Sequence, residues 1–168
     1  MTDNAGRSEL NGPDPRDWHP EQFRVLVTIG DAVAAGGDAS NQELCWANVL
    51  AALITDFQEE PLRLINVGVG GNVISTRVPP YADSRKPAGS ERVQKHVIDH
   101  QPDLLVMGYG LNDVRGGTPL EMFRRELVEL IKVVRQECDP LIVMLGPNFV
   151  TEFTSPEPWS HADEDRFE

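Results

Sequence analysis

Three short blocks of polar and glycine residues stand beside apolar runs in this chain. Gly30-Asp31-Ala32 follows FRVLVTI, Asn66-Val67-Gly68-Val69-Gly70-Gly71-Asn72 closes and follows LRLINV, and Gly110-Leu111-Asn112-Asp113 follows DLLVMGY. Carboxylates and amides in these blocks can order a loop or hold a ligand by hydrogen bonds, and glycine lets the backbone come close to one. Position 32 raises the question of activity. A serine after Gly30-Asp31 would make a nucleophilic loop, and alanine carries no nucleophile.

Each block also has a simpler reading. Gly30-Asp31 reads as a strand-to-loop turn, and Asn112-Asp113 as a turn pair. Gly68-Val69-Gly70-Gly71 suggests a dinucleotide loop, but position 73 is valine where a third glycine is needed, and the block follows the second apolar run, not the first. Cys45 and Cys138 lie far apart and in no metal-binding spacing, so they read as buried structural thiols.

The elements that must position these blocks alternate. Phe23–Ile29, Leu62–Val67, Asp103–Tyr109 and Pro140–Leu145 read as strands. A helix is predicted from Ser40 to about Phe57, opened by the capping box SNQE, with Leu44, Ala47, Val49, Leu50, Leu53 and Ile54 as its apolar face. A loop with Pro79, Pro80 and Pro87 leads to a second helix over Ser90–His100. A third runs from the capping box Thr118-Pro119-Leu120-Glu121 to near Cys138, with proline at its first helical position. Apolar strands alternating with helices predict a parallel sheet covered on both faces, with a ligand site at the carboxyl ends of the strands. Residues 1–21, rich in Asn, Asp, Gly and Pro, read as a flexible arm, and 22–168 as one domain. After Leu145 the alternation stops. The stretch NFVTEFTSPEPWSHADEDRFE reads as loop with a helix start at Ala162, so the domain is expected to be incomplete at its C-terminus, lacking a last strand and helix.

Taken together and in order, the three blocks resemble those of the SGNH or GDSL hydrolases, a family of esterases, lipases and carbohydrate deacetylases. The family patterns are GDS, N-x-G-x-x-G and G-x-N-D, and the resemblance covers about residues 23–150. It implies a three-layer α/β/α sandwich with a flavodoxin-like parallel sheet, and ester hydrolysis through a covalent serine mechanism without metal or cofactor. It further implies that the Ala32 and Gly71 backbone N–H groups and the Asn112 side-chain amide are the oxyanion donors. Gly30, Asp31, Asn66, Gly68, Gly110 and Asp113 would be supporting residues, with Asp31 ordering its loop. Preorganised donors of this kind contribute about 3–4 kcal/mol each to the transition state.

Two departures from the family pattern bear on activity. Ala32 occupies the position of the nucleophilic serine; Ser40 reads as the helix cap and is no substitute, and Ser75 and Thr76 could replace it only with a different geometry. The family's D-x-x-H block is absent: the residues three before His19, His96, His100 and His161 are Arg16, Val93, Val97 and Pro158. The chain is thus expected to be catalytically impaired. The alternatives are a non-catalytic protein that binds an ester or an acetylated carbohydrate, and an inactive fragment.

Composition narrows the partners. The net charge of −12 argues against nucleic acid and anionic membranes, and Arg124-Arg125 reads as a solvated helix face. The first twenty residues are polar and lack an apolar h-region, so a cytoplasmic location is expected. The expected partner is a small-molecule ester or acylated sugar, with self-association through an uncovered sheet edge.

Overall fold

The computed structural model describes residues 21–37 and 39–146. The predicted N-terminal arm and the stretch from Asn148 onward, with His19 and His161, therefore fall outside the described residues, apart from Glu21. In chain order the elements are β1 (Val25–Gly30), α1 (Ala32–Ala35), a 3₁₀ turn (Gln42–Leu44), α2 (Trp46–Phe57), β2 (Arg63–Gly68), α3 (Tyr81–Ser84), α4 (Gly89–His96), a second 3₁₀ turn (Ile98–His100), β3 (Leu104–Gly108), α5 (Leu111–Arg115), α6 (Leu120–Glu137) and β4 (Leu141–Leu145).

All strand pairs are parallel, and their spatial order is β2-β1-β3-β4. Central strands in such a sheet are buried on both faces, which is why VLVTI and LLVM read as unbroken apolar runs. One face carries Val27, Ile29, Leu105 and Met107 against Val93, Val97, Leu130 and Val134 of the α4–α6 side. The opposite face carries Leu26, Leu104 and Val106 against Trp46, Leu50, Ala51 and Ile54 of α2. The molecule is thus a three-layer α/β/α arrangement.

The register brings the strand ends to one level. Gly30 pairs with both Gly68 and Gly108, so three strands finish on glycine in one row. A Cβ on Gly30 would lie 2.1 Å from the Gly108 carbonyl oxygen, and one on Gly68 would lie 2.1 Å from the Ala35 nitrogen. These glycines let α1 lie directly across the carboxyl edge of the sheet.

Several boundaries differ from the sequence reading. The helix predicted from Ser40 is two pieces, and its cap is Asn41. Asn41 accepts from the Glu43 N–H at 3.0 Å, closing the 3₁₀ turn, and Cys45 is extended before α2 begins. Of the predicted apolar face, Ala47 is buried and Leu50 and Ile54 pack against the core, whereas Leu44, Val49 and Leu53 are exposed; Ala51, outside the predicted face, completes the covered stripe. The second predicted helix breaks at Val97. Thr118 does not cap α6: its hydroxyl is buried without a hydrogen-bond partner among the described residues, Pro119 precedes the first helical residue, and Glu121 pairs with Arg124 at 3.2 Å. Both cysteines are free, Cys45 buried and Cys138 half-buried.

On the edge strand β4, Leu141, Val143 and Met144 are exposed. Among the described residues, no helix is long and apolar enough to cross a membrane.

Candidate functional site

The chain leaves β1 through Asp31, whose N–H donates to the Gly108 carbonyl at 3.1 Å. Its Oδ1 accepts from the Val33 N–H at 2.9 Å, which starts α1 with Ala32 as the first helical residue. The geometry of a first turn leaves the Ala32 N–H without an intrahelical carbonyl. Asn66, near the end of β2, ties that helix down: its amide donates to the Ala34 carbonyl at 2.9 Å, and its Oδ1 accepts from the Gly68 N–H at 3.0 Å.

Beyond β2 the loop turns back over β1. The Val69 N–H donates to the Gly30 carbonyl at 3.0 Å, and Gly71 takes a left-handed φ of 69°, a conformation that glycine adopts without steric cost. Beyond β3, Gly110 has a φ of 127° and opens α5. Asn112 on that helix donates to the Asn72 main-chain carbonyl at 3.0 Å and to Asp31 Oδ2 at 3.3 Å. One buried amide therefore joins the loops after β1, β2 and β3. Next to it, Asp113 Oδ1 accepts from the Ile74 N–H at 3.2 Å.

The site carries two buried carboxyl groups. Burial lifts Asp31 above its usual range, against the lowering effect of its bond from Val33. Burial likewise pushes Asp113 up to about 6, opposed by the Ile74 N–H, and the charge on Asp31 adds to the rise. Asp113 Oδ2 has no hydrogen-bond partner among the described residues. Both amide hydrogens of Asn112 are engaged, so a bound oxygen would have to take the place of one of its acceptors. A cavity here, between Asp31, Val33, Gly108, Tyr109, Leu111, Leu145 and Gly146, is about 10 Å³, room for no more than a water.

The other candidate side chains lie elsewhere. Ser75 is buried and hydrogen-bonds Glu126, on a separate cavity of about 290 Å³ bounded by Thr76, Arg77, Ser90 and α6. His96 and His100 belong to the segment that leads into the amino end of β3. Among the described residues, no group of three or more His, Cys, Asp or Glu could hold a metal ion. Sequence reasoning missed Arg92 and Tyr109, which both donate to Asn72 Oδ1 from positions 20 and 37 residues away. No sequence signal marked Arg92, since an arginine beside an apolar residue on a helix reads as solvated.

The fold has known counterparts. A two-domain esterase active on acetylated mannans, crystallised with mannopentaose, superposes with a TM-score of 0.57 at 20% identity over 72% of this chain and 30% of its own. AlinE4, an SGNH-hydrolase family esterase, gives 0.56 at 22% identity over 74% and 59%. The acetylxylan esterase Axe2 from Geobacillus stearothermophilus gives 0.54 at 20% identity over 72% and 58%. At these identities the likeness speaks to fold alone, and the chain spans about three-fifths of the length of the last two and under a third of the first. No curated protein matches the sequence. The GDSL-like lipase/acylhydrolase family model matches residues 28–168, which take in all three blocks at the strand ends. The chain belongs to the GDSL-like lipase/acylhydrolase family.

Proposed function

We propose that the strand-end cluster is the carbonyl-binding part of an acyl-ester site, in which the Ala32 and Gly71 N–H groups and the Asn112 amide receive the acyl oxygen. Family membership supports hydrolysis of short acyl esters as the ancestral activity. Ala32 leaves this chain without the nucleophile, so it binds the ester without turning it over. The observation that carries this reading is the Asn112 amide, which bridges Asp31 and Asn72 one residue from Ala32 and Gly71. The structural neighbours that act on acetylated mannans and xylan favour an acetyl group on a sugar as ligand.

Thermal unfolding is measured with triacetin and with acetylated xylo-oligosaccharide. Stabilisation by either, lost in Asn112→Ala, is expected, and the two arms separate a general acyl site from a carbohydrate site. No hydrolysis of p-nitrophenyl acetate above a heat-denatured control is expected. Hydrolysis that disappears in Asn112→Ala would mean that another nucleophile serves this pocket and that Ala32 has been misread. Self-association of two copies through β4 fits the exposure of Leu141, Val143 and Met144. Sedimentation velocity showing a monomer at all accessible concentrations would refute it.

A further inference from the structure

The block after β2 ends on Asn72, and the structure gives that residue a role. Asn72 is fully buried, and all of its polar groups are engaged. Its Oδ1 accepts from Arg92 Nη1 at 3.0 Å and from the Tyr109 hydroxyl at 3.1 Å, and its Nδ2 donates to the Pro87 carbonyl at 2.7 Å. Its main-chain N–H donates to Val69 at 3.1 Å, and its carbonyl is the 3.0 Å acceptor of the Asn112 amide.

Arg92 is 6% exposed, and its second nitrogen, Nη2, donates to the Val67 carbonyl. The guanidinium therefore grips both ends of the Val67–Asn72 turn, one at the end of β2 and one beside Asn112. Burying a cation is costly unless its donors are met, and a planar fork can meet two acceptors in fixed geometry where an ammonium cannot. We infer that Arg92, acting through Asn72, is a positioning residue of the carbonyl site: it fixes the turn that presents the Gly71 N–H and holds the Asn112 amide in place. The inference rests on the acyl-site reading for its purpose, but the pinning itself can be measured without a ligand.

The test uses the whole ¹⁵N-labelled chain and its Arg92→Lys variant, which keeps the charge and loses the fork. Amide hydrogen exchange is followed at Asn72 and at Val27 in the core. The Asn112 side-chain resonances are recorded, and methyl acetate is titrated while the Ala32 and Gly71 amides are observed. Exchange at Asn72 should accelerate about tenfold or more, the fold-change expected for losing a charge-assisted hydrogen bond, with Val27 unchanged. The Asn112 amide resonances should move, and the methyl acetate response should fall at Gly71 more than at Ala32. Unchanged exchange at Asn72 overturns the inference. Equal acceleration at Asn72 and Val27 also overturns it, since Arg92 is then a general stability residue. If methyl acetate moves neither amide in the unmodified chain, the acyl-site reading fails, and the exchange result still decides the positioning role. Should Arg92→Lys fail to fold, Asn72→Ala removes the acceptor through which Arg92 acts, and unchanged exchange protection at position 72 in that variant overturns the inference.

Discussion

Asp113 makes the stability of this fold depend on pH in a direction opposite to that of most carboxylates. It is 1% exposed, one of its oxygens accepts from the Ile74 N–H, and the other has no partner among the described residues. Burial pushes its carboxyl from 3.8 up to about 6. The unfolded chain releases this proton above about pH 4, whereas the folded chain keeps it until about pH 6. Between those values the folded state binds more protons, so stability falls as pH rises and levels off above about pH 6. At 1.36 kcal/mol per unit the whole effect is about 3 kcal/mol, and integration from about pH 4.5 to about pH 7 leaves about 2 kcal/mol. Asp113→Asn keeps the acceptor for Ile74 and abolishes the titration. Urea unfolding of both proteins at those two pH values measures the difference. The variant should gain about 2 kcal/mol relative to the parent chain between the acidic and the neutral condition, whatever its offset. Parallel stability curves would show that Asp113 is ionised in the folded protein throughout, and the assignment of an uncompensated buried carboxyl would be wrong.

Two further substitutions follow from packing and charge. Gly68→Ala forces a methyl onto the α1 backbone at 2.1 Å, whereas at Gly108 the nearest atom to an added Cβ is 3.8 Å away. Thermal unfolding should therefore show a loss of about 1–3 kcal/mol for Gly68→Ala and less than about 1 kcal/mol for Gly108→Ala. Glu126 is buried, and although burial alone would raise its carboxyl, hydrogen bonds from Arg77, Ser75 and Arg125 hold it below its usual range. Its contribution is present above about pH 4.5 and lost as pH falls further, so Glu126→Gln should cost about 1–3 kcal/mol in urea unfolding at neutral pH and progressively less in acid.

The layer order of the fold was legible because parallel strands buried on both faces leave continuous apolar runs, and three of these runs end in a glycine of the aligned row Gly30, Gly68 and Gly108. Helix starts were less legible. Asn41 and Ser40 are equally good caps by type, and only the path of the chain into Cys45 selects Asn41. Thr118 fitted a capping box locally, but its side chain is buried and its hydroxyl caps nothing among the described residues. At the site, the three blocks could be read from residue types, whereas the reason for each glycine could not. Gly68 faces the α1 backbone, which is 33 residues away in sequence at Ala35. The Arg92–Asn72–Tyr109 network was hidden for the same reason, since no local pattern distinguishes a buried arginine on a helix from a solvated one.

The arrangement around Asn112 also bears on what the site can hold. An arriving oxygen has two contacts to choose between. The 3.0 Å bond to the Asn72 carbonyl belongs to a residue held at every polar atom, while the bond to Asp31 is longer, 3.3 Å, and Asp31 retains the Val33 N–H at 2.9 Å if it lets go. The more exchangeable contact is therefore the one to Asp31, and on the acyl-site reading proposed above its carboxyl stands where the ligand oxygen would bind. The same reading carries a selectivity. Two acidic groups lie within the same cluster: burial raises both, and the charge on Asp31 adds to the rise of Asp113. A carboxylate ligand would enter against that charge, whereas an ester carbonyl brings none. At about 4 Å and an effective dielectric near 20, one like-charge contact costs about 4 kcal/mol before screening, enough to exclude an anion while leaving a neutral acyl group unaffected. Acetate should thus perturb the Gly71 and Ala32 amides far more weakly than methyl acetate at about pH 7, and the gap should narrow below about pH 6 as Asp113 takes up its proton. Nuclear magnetic resonance titrations of the two compounds at both pH values measure this directly. Equal responses to both at neutral pH would mean that the acidic pair does not face the bound oxygen, and that Asp31 orders its loop without guarding the site.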